Sequence, residues 1–423
     1  MNPLSSLAAR VCRAAAISTF LLSSIAGADE PLSLAQAVAL AEAQAPALRA
    51  REAGVAEATA ALTPAGELPD PELVFGVDNL PVDGADAFAV SRDSMTMRTI
   101  GVMQTFTRRD TRRANVERAA GELDRERALL AAERLAVRES VAHAWIAASA
   151  LQARVDALQT LRPRAQLNAD AATAALVAGR GGAADGIAAR TALAALDDRI
   201  AATAAERDAA RIELARWLPD LADRALGEAP DWFDLGADPD ALPARLDHHR
   251  ELVAYDAAER AAQADAALAR ARKRPDWSLE LMYAQRGGAY ANMVSLQVRV
   301  PLPLFAHRRQ DPLIAAKEAA IERLDAERDD ARQRHGAELR KTLLAWRSAA
   351  DRARRYERDL LPLADARADA ALAAYRGGRG DLAATLLAFD DAVEKRLAFS
   401  DVERSLADAW ATLAYAFAQE GQP

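Results

Sequence analysis

The sequence predicts a mainly α-helical protein with a small β part, laid out twice along the chain. Three observations lead there. The 423 residues include only 20 glycines and 18 prolines, about 9% together against roughly 12% in average usage; few turns can be made, and the abundant alanine favours a small number of very long helices. Apolar residues recur at alternating spacings of four and three, the heptad signature of helices packed lengthwise. Four short segments alternate apolar and polar residues with the period of two that belongs to strands.

Composition excludes several classes. With 51% hydrophobic and 27% charged residues, the chain is neither disordered nor a bundle of transmembrane helices. A net charge of −8 rules out a generally basic nucleic-acid binder. The single cysteine, Cys12, rules out a disulfide framework and any Cys-based zinc site.

Taken in order, residues 1–28 read as an export signal. Arg10 and Arg13 give a positive start, Ala14–Ile25 an apolar run too short to span a bilayer, and Ala26-Gly27-Ala28 a small-residue cleavage site. Cys12 precedes the apolar run, so no acyl anchor is expected. Removing two arginines takes the net charge from −8 to −10.

The rest repeats once. The first structural repeat covers 29–219, a linker rich in Pro and Asp covers 220–242, and the second repeat covers 243–420. Each runs helix, two strands (about 71–78 and 98–106; 276–284 and 292–300), a very long helix, a glycine turn and a returning helix. Ala178–Asp185 aligns with Ala374–Asp381, Trp145 with Trp346, and Pro69-Asp70-Pro71 with Pro275-Asp276-Trp277. Val137, Val141, Ala144, Ala148, Leu151, Val155 and Leu158 form one seam. Leu339, Leu343, Trp346, Ala350 and Ala353 form another, and Leu406, Trp410, Leu413 and Phe417 a third. No proline interrupts Arg109–Leu161, enough for a helix of about 80 Å.

Val294, Leu296, Val298 and Val300 alternate with Ser295, Gln297 and Arg299; Leu279, Leu281 and Tyr283 alternate with Ser278, Glu280 and Met282. Leu73, Phe75 and Val77 do so with weaker contrast, and Thr99–Phe106 is the least regular. Taken alone, such strands fit a soluble hairpin packed on a helix. The repeat changes that balance: each pair interrupts two long helices, so all four strands should emerge at one end. Bacterial membrane barrels need at least eight strands, and four leave edges that hydrocarbon does not tolerate. Three copies give twelve.

The duplicated helix–hairpin–helix–helix layout with paired glycine turns resembles the TolC-like outer-membrane efflux family over nearly all of 31–420. The resemblance implies a homotrimer whose protomers share one 12-stranded β-barrel in the cell outer membrane, continued by an α-helical barrel as a long periplasmic extension. It also implies a periplasmic adaptor (membrane fusion protein) and an inner-membrane efflux pump, of RND type, as partners. Leu68-Pro69-Asp70-Pro71-Glu72-Leu73, Asn79-Leu80-Pro81-Val82, Met95-Thr96-Met97-Arg98 and Gly101-Val102-Met103-Gln104 look like the CzcC/CusC-like heavy-metal branch.

The resemblance implies adaptor-contact tips at Gly179, Arg180, Gly181, Gly182 and Asp185, and at Arg376, Gly377, Gly378, Arg379 and Asp381. Glycine there also serves the reversal of two antiparallel helices, with Asp185 and Asp381 as N-caps. The entrance aspartates of some relatives fall near Ala384 and Leu387 and are not carried over. Asp390 and Asp391, one turn further, are the candidate channel constriction, although solvated surface acids fit them as well. Met95, Met97 and Met103 invite a soft-metal reading, but packing accounts for them. His248-His249 stands without a third ligand, and His143, His307 and His335 read as isolated. No metal, cofactor or enzyme chemistry is expected: phosphate loop, nucleophile elbow and clustered acid–base pair are all missing. The reading is a passive export conduit, with metal cations as candidate cargo. A TolC-like channel for drugs or secreted proteins and a soluble periplasmic coiled-coil adaptor or scaffold are its rivals.

Overall fold

A computed structural model describes residues 30–287 and 290–417; the export-signal reading of 1–28 lies outside them. Helices α1 (Leu34–Gln44) and α2 (Pro46–Ala65) precede strands β1 (Glu72–Asp78) and β2 (Met97–Phe106), then α3 (Arg109–Val177) and α4 (Ala183–Trp217). The second repeat supplies α5 (Arg250–Ala271), β3 (Trp277–Gln285), β4 (Met293–Arg299), α6 (Ala306–Arg355), α7 (Leu361–Arg376) and α8 (Leu382–Ala414).

Proline sets the breaks without always ending a helix. Pro46 opens α2 at a first-turn position, where its missing N–H costs nothing. A π turn at Tyr356–Leu360 leads into α7, whose second residue is Pro362. Pro163, by contrast, lies inside α3, which passes Leu161, where the proline-free stretch ends, and runs on to Val177. Burial explains the continuation: Leu158, Leu161, Ala165, Ala169 and Ala172 stay in the core on both sides of the proline, and one absent donor is a small loss against that seam.

The chain forms two compact units that cut across the sequence repeats. One takes residues up to Ala43, Val137–Gly236 and Thr342–Ala414; the other takes Gln44–Ala136, Ala237–Lys341 and residues from Tyr415 on. In the first unit, Val137 through Leu158 of the seam are all buried. Leu158, Leu161 and Ala165 pack with Leu196 of α4 and Phe389 and Val393 of α8. The duplicated tryptophans do the same job twice: Trp145 Nε1 donates to the carbonyl of Leu32 at 3.0 Å, and Trp346 Nε1 to that of Trp232 at 2.9 Å. Trp145 thereby holds the start of the first repeat against the bundle, and Trp346 holds the linker.

The second unit contains the sheet, order β1-β2-β3-β4, with every neighbouring pair antiparallel. Close backbone approach is built in with glycine. A Cβ on Gly121 of α3 would lie 3.0 Å from Ala261 Cα of α5, and one on Gly101 of β2 only 2.7 Å from the carbonyl oxygen of Leu281. Val102 pairs with Leu73 on one side and Leu281 on the other, and Leu281 with Leu296, so one register runs across all four strands.

Candidate functional site

That register sorts the side chains of the sheet onto two unlike faces. On one, Leu73, Val102, Leu281 and Leu296 form a row, and Phe75, Ile100, Tyr283 and Val294 form the next. All eight are exposed, Phe75 to 78% and Val294 to 70%. Leu279 and Val298 add a third row, and Phe106 stacks on Trp277 with ring centroids 4.4 Å apart at the border. Soluble proteins rarely leave so continuous an apolar surface open. An aromatic border suits the boundary between hydrocarbon and water.

The other face carries Thr99, Ser278, Ser295, Gln297 and the ion pair of Glu280 with Arg299. Glu280 is 2% exposed, so its charge is held by the guanidinium rather than by water. An apolar face opposite a polar one is the pattern of a barrel wall. Among the described residues β1 and β4 are the two edges, each with one side lacking a strand partner. Because four strands alternate direction, β4 of one copy can pair antiparallel with β1 of another. Among the described residues no helix is long and apolar enough to cross a membrane.

In the other unit, the two glycine turns share one geometry. Gly179 has φ 67° and Gly378 φ 70°, the left-handed region that glycine enters without steric cost. Arg180 N–H donates to Ala175 C=O and Arg379 N–H to Ala374 C=O, each at 2.9 Å, while Gly179 and Gly378 donate three residues back. These are paired Schellman stops. They shift the sequence alignment by three residues: Gly179 matches Gly378, not Tyr375. Gly182 then matches Asp381, and the two aspartates differ in role. Asp381 caps α8 through the N–H of Ala384 at 2.7 Å, whereas Asp185 sits one turn inside α4 and accepts from the N–H of Gly182 at 2.9 Å. The expected N-cap role of Asp185 is therefore corrected, because glycine occupies the capping position.

Arg180 lies against Gly378, its Nη1 3.2 Å from where a Cβ would stand. Between the turns Leu167, Ala171, Ala174, Arg180, Tyr375 and Arg376 line a cavity of about 270 Å³. Among the described contacts, Arg180, Arg376 and Arg379 form no salt bridge, although most arginines of this unit do. The buried Tyr375 hydroxyl also has no partner, and burial raises its pKa above the ordinary tyrosine value. Sequence reading missed Tyr375, whose only signal was an aromatic one turn before the glycines.

Asp390 and Asp391 both lie on α8 with basic neighbours. Arg199 reaches Asp390 at 4.0 Å and Glu394 at 2.6 Å, and Asp391 meets Arg367 at 3.4 Å and Lys395 at 3.7 Å. Two histidine expectations change. His335 is not isolated: it is buried, stacks on His249 at 4.5 Å, and faces Glu251 at 2.6 Å and Glu338 at 3.1 Å. His143 Nδ1 is 3.0 Å from Asp408, with Glu139 and Thr412 beside Nε2. The Asp408 and Glu139 carboxylates push its pKa up to about 9, making it an ion-pair member between α3 and α8. Helical spacing could place only Glu338 beside His335 and Glu139 beside His143; Glu251, His249, Asp408 and Thr412 lie 84 or more residues away in the chain. Among the described residues no group of three or more His, Cys, Asp or Glu is placed to hold a metal ion.

Comparison with known proteins matches the same geometry. Residues 242–419 match the family model described as outer membrane efflux protein. No curated protein sequence matches the chain. The outer-membrane channel OprN superposes with a TM-score of 0.75 at 17% identity, covering 91% of this chain and 90% of the other. CusC gives 0.75 at 17% over 91% and 92%. The outer membrane protein VceC of Vibrio cholerae gives 0.74 at 18% over 91% and 96%. Residues 242–419 thus match the outer membrane efflux protein family, and the chain shares the TolC-like fold of these channels over about nine-tenths of its length.

Proposed function

We propose that this protein is the outer-membrane channel of a tripartite efflux system, a passive conduit driven by an inner-membrane pump. One observation carries the reading: eight exposed apolar side chains in two register-matched rows, on a sheet whose two edges lack partners. Water makes that surface unfavourable, at about 25 cal/mol for each Å², and hydrocarbon makes the open edges unfavourable. Three copies pooling their edges remove both penalties. The family is one of channel proteins rather than enzymes, and the CusC structures concern folding and transmembrane channel formation.

The turns at Gly179–Gly182 and Arg376–Asp381 are the proposed contact with a periplasmic adaptor. The acids there are engaged in capping, which leaves Arg180, Arg376 and Arg379 to meet carboxylates of the partner. Asp390 and Asp391 are the proposed constriction, and their basic neighbours reduce the field that a ring of them presents. Opening moves the helices that follow Gly378. An RND pump and heavy-metal cargo follow from the branch resemblance around Leu68–Gln104. Fold similarity does not discriminate cargo, since OprN and CusC superpose equally well, and a drug or protein conduit remains the rival.

The test is conductance. Purified mature protein added to a planar lipid bilayer should give discrete, long-lived current steps, and its deletion should sensitise cells to zinc, cadmium, cobalt, copper or silver. Protein that stays in the aqueous phase and passes no current contradicts the channel reading; sensitivity to dyes alone selects the rival cargo.

A further inference from the structure

We propose that the end of the sheet where its strands join the helices is a docking surface for anionic phospholipid, with arginines on the phosphates and an apolar collar among the acyl chains. This rests on the channel reading, which puts that end in the leaflet facing the periplasm. The whole chain has a net charge of −8, yet this one end is rich in basic residues. Arg108-Arg109 follow β2, Arg272-Lys273-Arg274 precede β3, and Arg308-Arg309 follow β4. Phe106 pairs with Trp277, and Ser278 with Arg299, so the antiparallel order brings all three groups to the same end. Every one of these residues is exposed. Helix stability alone argues against arginine here. α3 opens with Arg109, and α6 has no acid in its first turn, whereas a positive charge at a helix start opposes the macrodipole. An anion at that level satisfies the helix ends and the guanidinium groups together.

The acids of this end leave much of that charge unmet. Asp276 accepts from the backbone N–H of Arg108 at 2.9 Å, Asp110 faces Arg274 at 3.8 Å, and Asp311 binds Lys273 at 2.6 Å. Glu67, Asp70 and Glu72 belong to the far edge, around the start of β1. Among the described contacts the side chains of Arg108, Arg109, Arg308 and Arg309 meet no carboxylate. The apolar collar lies beside them. Past β4, Leu302 and Leu304 keep the even-numbered alternation of Val294–Val300 across Pro301 and Pro303, and they stand 73% and 74% exposed, with Phe305 exposed next to them. The stacked Phe106 and Trp277 mark the level where the apolar rows of β2 and β3 end. Arg108 is two residues further on, about 7 Å at strand spacing, and the headgroup layer on each side of a bilayer is roughly 5–8 Å deep. Its guanidinium therefore stands at the phosphates when the apolar rows stand in hydrocarbon. Guanidinium meets phosphate through paired N–H donors. A headgroup with net negative charge brings no ammonium of its own, which selects phosphatidylglycerol over phosphatidylcholine.

Native mass spectrometry of the delipidated mature protein in nonionic detergent tests this, with phosphatidylglycerol, phosphatidylcholine and inorganic phosphate as separate titrants. Each arginine near a membrane surface favours anionic lipid by about fivefold. Wild type should therefore bind phosphatidylglycerol about tenfold or more tightly than phosphatidylcholine, and R108Q/R109Q/R308Q/R309Q should bring that ratio to within about twofold. L302S/L304S should weaken both lipids alike and keep their ratio. If the quadruple variant fails to fold, R108Q/R109Q alone should lower the ratio about threefold or more. Inorganic phosphate that displaces phosphatidylglycerol at equal concentration marks an anion site without a lipid and overturns the proposal. A ratio fully kept by the folded quadruple variant overturns it as well. Equal binding of both lipids by a wild type that conducts in bilayers overturns the surface and leaves the channel standing; if the quadruple variant then also dissociates into monomers, the arginines pair with acids of a second copy instead. An arginine-dependent preference in a protein that conducts nothing supports the surface and removes the channel.

Discussion

Replacing Leu281 by arginine separates a barrel wall from a soluble hairpin. Leu281 sits on β3 between the Leu279 and Tyr283 rows, with Val102 and Leu296 beside it. On this face β3 is apolar from Trp277 to Tyr283, about 20 Å along the strand. At a barrel tilt of 35–45° that band is roughly 15 Å tall and Leu281 lies near its middle. There an arginine costs about 2–4 kcal/mol per protomer, which lowers the inserted population by a factor of about 30 to 1,000. Gln297→Arg, on the polar face of the neighbouring strand, should cost far less. The assay is urea-induced unfolding from lipid vesicles, with the heat-modifiable oligomer band on gels as a second readout. If Leu281→Arg and Gln297→Arg both insert and unfold like wild type, the apolar rows do not face lipid. Leu281 is exposed within the protomer, and on a soluble surface the change should stay within about 0.5 kcal/mol.

Other consequences are equally direct. Gly101→Val should separate β2 from β3, because a Cβ has no room beside the Leu281 carbonyl; loss of the oligomer band checks it, and a stable band contradicts it. Gly378→Ala should destabilise the protein by about 1 kcal/mol through its positive φ, read as a lower thermal midpoint, whereas Gly377→Ala, with φ −76°, should cost less. For His143 the pKa rises from 6.5 to about 9 on folding, so its ion pair with Asp408 contributes fully below pH 6.5 and is lost as pH climbs through 9. His143→Gln should therefore flatten the decline in stability between pH 7 and 10, and an unchanged pH profile refutes the pairing.

Much of this fold was legible because its determinants are local. Period-two alternation marked the strands, and the spacing of Val137 through Leu158 marked a helix face that is buried throughout. What escaped depends on partners distant in sequence. The proline-free stretch measured in the sequence stops short of Pro163, but buried residues on either side carry α3 through it. The two turns were aligned three residues out of step, because composition matched Gly179 to Tyr375 whereas backbone geometry matches it to Gly378. His335 appeared alone because Glu251 and His249 reach it from α5 and its capping residue.

The most direct measurement is the native mass of the detergent-solubilised mature protein. Three chains per particle, with monomer appearing only on denaturation, is the expected result, since a four-stranded arc becomes a closed wall when two neighbours supply the missing edges. A single chain that stays monodisperse in detergent-free buffer would mean that those edges and that apolar surface are stable in water, and the barrel would have to be abandoned.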